Sequence, residues 1–203
     1  MLTLASTAII TLLSIGLAYS ITLKYLERRQ TPLLFWALGL WAFAASAALE
    51  IVFAADIYSQ YFMAAYLFLV VLVVQLLSIG SINLIKSKPM KIAYYAFSIL
   101  IAMYALFTII TSSISNLVTN FVVTGIPPMP VIISSSIATV VASLVLIGVA
   151  AKSYADRHNR KMLYIIAGVV VVAISGLLYI VAFPVLLYYA EFIGIILLWL
   201  GFS

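Results

Sequence analysis

The ten Lys and Arg residues of this 203-residue chain all fall in three short polar breaks between long apolar stretches. In chain order they are Lys24, Arg28 and Arg29; Lys86, Lys88 and Lys91; and Lys152, Arg157, Arg160 and Lys161. These breaks are the odd-numbered connections between apolar stretches, so alternate connections carry all of the positive charge. Short loops rich in Lys and Arg stay on the cytoplasmic side of a membrane. The pattern therefore predicts a polytopic membrane protein and the orientation of its spans.

The composition excludes an ordinary soluble domain. Hydrophobic residues make up 67% of the chain and charged residues 7%, whereas about 25% of the residues of soluble domains are charged. The spans use up the length, so no soluble enzyme, kinase or nucleic-acid-binding domain is expected. The net charge is +5, and the basic residues lie next to the predicted spans. The attraction of each such residue to anionic headgroups contributes about 1 kcal/mol of binding free energy. The predicted partners are the lipid bilayer and its anionic headgroups, not nucleic acid.

We predict an all-α bundle of seven transmembrane helices, because each apolar stretch of about 20 to 25 residues crosses a ~30 Å hydrocarbon core as a helix. The spans lie near 2–23, 33–55, 60–85, 91–112, 130–151, 162–183 and 185–203. They form one multi-pass domain in the cell membrane, 1–203, with the N-terminus outside and the C-terminus in the cytoplasm. The first stretch is followed, not preceded, by basic residues, which is the reverse of a secretory signal peptide.

The longest connection, 113–129, carries no charge and is predicted to lie outside. Apolar residues recur at helical spacing at Ile114, Leu117, Val118, Phe121 and Val122. This spacing predicts a short amphipathic helix on the outer membrane surface. The alternative is a lid over an outward-facing cavity.

A faint internal repeat aligns residues that are 129 positions apart. The identities are Ser6 with Ser135, Ser14 with Ser143, Tyr25 with Tyr154, Arg28 with Arg157, Gly39 with Gly168, and Ile51–Val52 with Ile180–Val181. Spans 1–3 would then correspond in parallel to spans 5–7, with span 4 as a connector. Parallel repeats of three helices occur in some transporters. In so biased a composition chance identities also arise, so the sequence leaves the repeat open.

Glu50 and Glu191 are the ionisable residues that lie well inside predicted spans. Intramembrane carboxyl groups cost about 2.5 to 3.5 kcal/mol at mid-bilayer on insertion scales and mark functional sites by default. Both lie about 10 Å below the outer surface, so the pair could share a proton or bracket a cation. The structural alternative is that both are protonated and hydrogen-bonded to Ser or Tyr, and serve only helix association.

Small and polar residues share a helix face with each glutamate, which favours an inward orientation. The stripes are Gly39, Ala42, Ser46 and Glu50 on span 2, and Tyr188, Glu191, Gly194, Leu198 and Gly201 on span 7. We infer an outward-biased polar cavity. Its candidate lining residues are Glu50, Glu191, Tyr188, Tyr179, Tyr66, Ser46, Ser135 and Thr139.

The sequence predicts no cofactor, no metal site and no catalytic residue. It contains no Cys, its one His is His158 in a basic loop, and no Lys lies within a span for retinal attachment. Intramembrane proteolysis is unsupported, because no Ser–His or paired-Asp arrangement lies in the membrane.

The runs Leu34-Phe35-Trp36-Ala37-Leu38-Gly39-Leu40 before Glu50, Tyr188-Tyr189-Ala190-Glu191-Phe192-Ile193-Gly194, and Gly201-Phe202 mark spans 2 and 7. With them the chain resembles an uncharacterised family of prokaryotic seven-span membrane proteins. It is more loosely similar to the seven-span sensory regions of bacterial histidine kinases. The resemblance implies the architecture and brings no settled activity.

Three functions are compatible with these features. The leading hypothesis is a non-enzymatic module that binds or senses a small molecule or lipid in the outward-facing cavity. The first alternative is a small, proton-coupled transporter built on the 3+1+3 repeat. The second is a structural subunit whose membrane-protein partner supplies the activity.

Overall fold

The architecture is helical, as a computed structural model of the chain shows. The structure describes residues 2–114, 117–119, 122–123, 125–157, 161, 163–168, 170–171 and 184–202. Its elements are α1 (Leu2–Arg28), α2 (Thr31–Ala54), α3 (Gln60–Ile82), α4 (Lys88–Thr111), β1 (Val118–Thr119), β2 (Val122–Val123), α5 (Met129–Arg157) and α6 (Pro184–Phe202). Residues 163–168 are also helical.

Five helices of the described chain, α1 to α5, are long and apolar enough to cross a membrane. They match the first five predicted spans, although α1 and α5 continue to Arg28 and Arg157. The seventh predicted span corresponds to α6, and most of the sixth, 162–183, falls outside the described residues. The five helices fit a multi-pass membrane protein.

Local chemistry explains where the helices begin. A proline lies in the first turn of both α2 and α4, where the missing amide donor has no partner to lose. The side chain of Ser59 caps α3 by accepting a hydrogen bond from the Tyr61 amide, which satisfies one of the free donors at a helix start. These boundaries keep turns out of the apolar stretches.

Each helix from α1 to α4 packs against the next in the chain. In addition, α5 packs against α3 and α4, and α6 packs against α1. The sequential neighbours are antiparallel, since Trp36 near the start of α2 bonds to Ser81 near the end of α3. The ends of α1, α3 and α5 therefore gather with the starts of α2 and α4, and this basic end carries the described Lys and Arg residues. The opposite end holds β1 and β2, and we call it the hairpin end.

Small residues set the distance between α2 and α3. The predicted stripe on α2 is buried, as its residues Gly39, Ala42, Ser46 and Glu50 all face the interior. A Cβ added at Gly39 would lie 3.1 Å from Cγ of Leu77. The inward orientation predicted for this stripe is confirmed, and its physical basis is close backbone approach.

The amphipathic helix predicted within 113–129 is wrong for the described residues. β1 and β2 pair antiparallel instead, with Val118 opposite Val123 and Thr119 opposite Val122. β-branched residues favour extended backbone, and the Gly125 amide closes the loop by donating to the Leu117 carbonyl at 2.8 Å. Ile114 and Leu117 are buried against the bundle. The helical spacing of Ile114 and Leu117 therefore reflects their burial at the hairpin end and not a helix.

Candidate functional site

Glu50 lies in the last two turns of α2 and points into the bundle, with 6% of its surface exposed. Its Oε1 accepts a hydrogen bond from the Tyr66 hydroxyl at 2.9 Å. Tyr66 lies on α3, which follows α2 through a short turn, so the antiparallel packing of the two helices brings these groups together. Two of the predicted candidate residues are thus in direct contact.

An apolar shell covers the Glu50–Tyr66 pair on the hairpin side. The rings of Phe53 and Tyr66 meet edge to face, with their centroids 5.8 Å apart, a favourable arrangement for aromatic pairs. Ile114 and Leu117, from the connection between α4 and α5, belong to the same buried cluster as these two rings. The connection therefore packs over the pair.

The second oxygen of Glu50, Oε2, is buried and has no hydrogen-bond partner among the described residues. Burying a polar group without a partner costs free energy, and a carboxyl group within a membrane helix adds to that cost. Oε1 of Gln75 is also buried without a partner among the described residues, so it is the ionisable carboxyl group that makes Glu50 the candidate functional residue.

The register between α1 and α2 places Thr7 at the level of Glu50. Ile10 on α1 and Ala47 on α2 share a buried cluster. Because the two helices are antiparallel, Thr7, three residues before Ile10, lies at the same level as Glu50, three residues after Ala47. Thr7 is 1% exposed. A hydroxyl-bearing side chain thus lies at the depth of the carboxyl group, on the helix next to α2.

Glu191 and Tyr188 lie on α6, but their side chains are outside the described part of the structure, and Tyr179 is outside it entirely. Gly194 and Leu198 follow position 191 at helical spacing, and both are buried. The predicted α6 stripe is thus buried at those positions that are described. That Glu50 and Glu191 act as a pair stays a prediction.

Within the described part of the chain, the remaining predicted lining residues form no hydrogen bond with Glu50, although Ser46 lies one turn before it on the same face of α2. Ser46 donates its hydroxyl proton to the Phe43 carbonyl on its own helix at 2.8 Å. Ser135 does the same with the Val131 carbonyl at 2.7 Å. Such bonds to the preceding turn satisfy a hydroxyl within the membrane without a ligand. Thr139 lies elsewhere, on the wall of a central cavity.

The central cavity has a volume of about 40 Å³ and is lined by α2, α3, α5 and α6. Leu40 on α2, Leu77 on α3 and Leu198 on α6 form much of its wall. Thr139 and Ser143 of α5 also line it, but the surface that faces the cavity is apolar. This volume is close to that of one water molecule, about 30 Å³ in the liquid, whereas pockets for drug-sized ligands measure about 300 Å³ or more. The cavity that the described residues line is therefore too small for such a ligand.

Sequence reasoning missed a set of buried polar contacts around α3, α4 and α5. Nε2 of Gln75 donates to the Ala138 carbonyl at 2.9 Å. The hydroxyls of Thr108 and Ser134 are hydrogen-bonded at 2.9 Å, and those of Ser78 and Tyr94 are in contact. Gln75 carries the strongest signal, as an amide in the middle of an apolar helix. The hydroxyl pairs carry no signal along the sequence, because each joins different helices.

The glycine contacts between α2 and α3 recur between the helical residues 161–168 and α6. A Cβ at Gly39 would meet Leu77 Cγ at 3.1 Å and its amide nitrogen at 3.2 Å, and a Cβ at Gly168 would meet the same two atoms of Leu198 at the same distances. A Cβ at Gly80 would clash with Trp36 and lie 3.0 Å from the Pro32 carbonyl oxygen. In the same way, a Cβ at Gly201 would clash with Ile165 and lie 3.2 Å from the Lys161 carbonyl oxygen.

The residue numbers of these contacts follow two constant offsets. Pro32, Trp36 and Gly39 each lie 129 residues before Lys161, Ile165 and Gly168. Leu77 and Gly80 each lie 121 residues before Leu198 and Gly201. The first offset is that of the faint sequence repeat, and the second is eight residues shorter.

Within the described residues, no group of three or more His, Cys, Asp or Glu side chains could hold a metal ion. Comparison of the chain with protein families, with curated proteins and with solved structures gives no match. The resemblance to a prokaryotic seven-span family therefore stays a prediction.

Proposed function

We propose that the protein is a small, proton-coupled carrier of a small molecule, built from two three-helix units. The first unit is α1–α3, and the second is α5, the predicted sixth span and α6; α4 joins them. In this proposal the chain crosses the cell membrane seven times, with the N-terminus outside. The carrier breaks no covalent bond and needs no cofactor.

The recurrence of the glycine contacts is the observation that carries this proposal. Two helices can pack in many ways, so repetition of the same atoms at the same distances favours two copies of one unit. The interfaces between the units support the same conclusion. If the two units are exchanged, the α3–α5 interface takes the place of the α6–α1 interface, and both pairs of helices pack together. Parallel repeats related by an axis along the membrane normal are a known transporter architecture.

The central cavity lies where such a carrier would hold its solute. Its lining includes Val74 with Ile195, and Leu77 with Leu198, and both pairs differ by the offset of 121 residues. Equivalent residues of both units therefore face the same space. Transporters built from repeats bind their substrates at the repeat interface, near the bilayer midplane.

Glu50 is the proposed proton-coupling residue, with Tyr66 as the group that positions it. It lies seven residues beyond Phe43, which lines the cavity, and seven residues of helix span about 10 Å. Carboxyl groups within membrane helices commonly relay protons in pumps and transporters. Glu191 is the proposed second member, on the strength of its predicted depth.

A binding or sensing module is the second candidate. The packing of Ile114 and Leu117 over the Glu50–Tyr66 pair favours it, because a covered site on one side of the bundle suits a receptor. A structural subunit is supported by no specific contact.

The test is proton entry into liposomes that contain the protein and a trapped pH-sensitive dye. Glucose, alanine and lactate are added one at a time as probes. We expect at least one to drive proton entry with the wild type and with Asp56→Asn, an exposed acid in the turn after α2. With Glu50→Gln and Glu191→Gln, proton entry should fall about tenfold or more. Stabilisation of the protein by a probe without any proton entry would favour the sensing module instead.

A further inference from the structure

The two interfaces between the proposed units differ in chemistry, and this difference extends the proposed function. At the α3–α5 interface, Gln75 is 1% exposed and reaches from one unit to the other by donating to the Ala138 carbonyl at 2.9 Å. The corresponding position in the second unit, by the offset of 121, is Ile196, which is 38% exposed. Among the described residues, a polar link of this kind is thus found at the α3–α5 interface and not at the corresponding position of the second unit.

The connecting helix α4 strengthens the same side. Its Tyr94 contacts Ser78 of α3 through their hydroxyls, and its Thr108 is hydrogen-bonded to Ser134 of α5 at 2.9 Å. These two contacts lie near opposite ends of α4, so the helix holds α3 and α5 together along most of its length. Breaking buried hydrogen bonds in an apolar medium leaves unsatisfied polar groups, which is costly.

The contacts described across the other interface, between α1 and α6, are apolar. A Cβ at Gly16 would lie 3.0 Å from the Trp199 ring, and Leu13 and Leu17 share a core cluster with Ile195. In a membrane such surfaces separate at little cost, because lipid chains are as apolar as leucine and replace the lost contacts. By the contacts of the described residues, the α1–α6 interface is the weaker of the two.

We propose that the two units rotate about the α3–α4–α5 side and separate between α1 and α6. Opening there moves Ile195 and Leu198 of α6 away from Leu40 of α2, so that the cavity of about 40 Å³ enlarges to admit a solute. Rocking of one repeat against the other around a fixed site is how repeat transporters alternate their access. Gln75 acts as a positioning residue that keeps the hinge side closed.

Thiol cross-linking tests this motion directly, since the chain has no native Cys. Gly16→Cys with Trp199→Cys spans the opening interface, and Val71→Cys with Ala138→Cys spans the hinge, because the latter two residues share a buried cluster and Gln75 is left intact. Thr22→Cys with Trp41→Cys is the control within one unit, because Trp41 donates to the Thr22 hydroxyl at 3.1 Å. A cleavable cross-linker should reduce proton entry about tenfold in the first pair and leave the other two nearly unchanged. Blockage by the hinge link and none by the Gly16–Trp199 link would overturn the proposal.

Distances between spin labels separate failure of this motion from failure of the carrier function. Labels at Tyr19 on α1 and Ile196 on α6, both exposed, should give two distances in lipid nanodiscs. Labels at Leu106 on α4 and Ile133 on α5, also exposed, should give one. Two distances without proton entry would support the opening while refuting proton-coupled transport, and a single distance for the α1–α6 pair would refute the opening.

Discussion

Substitution of Gly80 by alanine tests the close packing of α2 on α3. The added Cβ would lie 2.6 Å from Trp36 Nε1 and 3.0 Å from the Pro32 carbonyl oxygen. The ring of Trp36 must move to admit it, whereas the Pro32 oxygen belongs to the backbone at the start of α2. The ring cannot move without weakening the hydrogen bonds from Nε1 to the Leu77 carbonyl and the Ser81 hydroxyl, both 3.2 Å long.

The expected loss is a net of about 3 kcal/mol in the free energy of unfolding. Overpacking a well-packed contact costs about 1 to 3 kcal/mol, and each weakened hydrogen bond costs about 0.6 to 1 kcal/mol. Replacing glycine by alanine within a helix returns about 0.5 to 1 kcal/mol. Gly148 is the matched control, because nothing lies within 4 Å of a Cβ at that position. Gly148→Ala should therefore be neutral or slightly stabilising.

The measurement is the loss of helical circular dichroism as SDS is titrated into detergent micelles that contain the protein. Gly80→Ala should unfold at a lower SDS fraction than wild type, and Gly201→Ala should shift in the same direction because its Cβ would meet Ile165. The double variant Gly80→Ala with Trp36→Leu should recover part of the loss. If Gly80→Ala proves as stable as Gly148→Ala, the close approach of α2 and α3 is refuted.

Three further predictions concern the site, the topology and the cavity. Tyr66→Phe removes the donor to Glu50 and should lower the unfolding free energy by about 1 to 2 kcal/mol; no loss in the SDS titration would mean that the hydrogen bond contributes nothing. Cysteine at Ser113, an exposed residue at the hairpin end, should react with an impermeant maleimide on intact cells, and cysteine at the exposed Ser87 only after permeabilisation; the reverse labelling would invert the topology. Val74→Ile adds one methylene beside the central cavity and should raise the unfolding free energy by roughly 0.5 kcal/mol through added van der Waals contacts; destabilisation would show that this space is already filled.

The helices and their inward faces could be predicted from the sequence, because a membrane leaves few alternatives. Unpaired backbone groups cannot face lipid, so long apolar stretches become helices, as in α1 to α5. Gly39 and Glu50 could be assigned to one buried face from helical spacing alone. The segment that includes Val118 and Val123 was mispredicted because the spacing of its apolar residues also suits a helix, and its pairing depends on packing against the bundle end.

Contacts between side chains on different helices were much harder to predict. Glu50 and Tyr66 were both candidates, but their hydrogen bond depends on the register of α2 against α3, which is set by the fit of Gly80 to Trp36. The hydrogen-bond partner of Ser46 could not be predicted for a different reason. Its hydroxyl can either face a cavity or return to its own helix, and the sequence does not distinguish the two outcomes. The structure shows the second.

In the proposed two-unit carrier, the connecting helix α4 has a consequence for how such a chain could arise and be inherited. A unit of three spans begins and ends on opposite sides of the membrane, so a second copy fused directly behind it would be inserted upside down. One additional crossing by α4 returns the chain to the starting side. Gly168 and Gly201 can then repeat the contacts of Gly39 and Gly80 in a copy of the same orientation. Selection would therefore preserve the odd number of crossings between the units more strictly than the lipid-facing sequence of α4, and loss of this helix would invert half of the molecule.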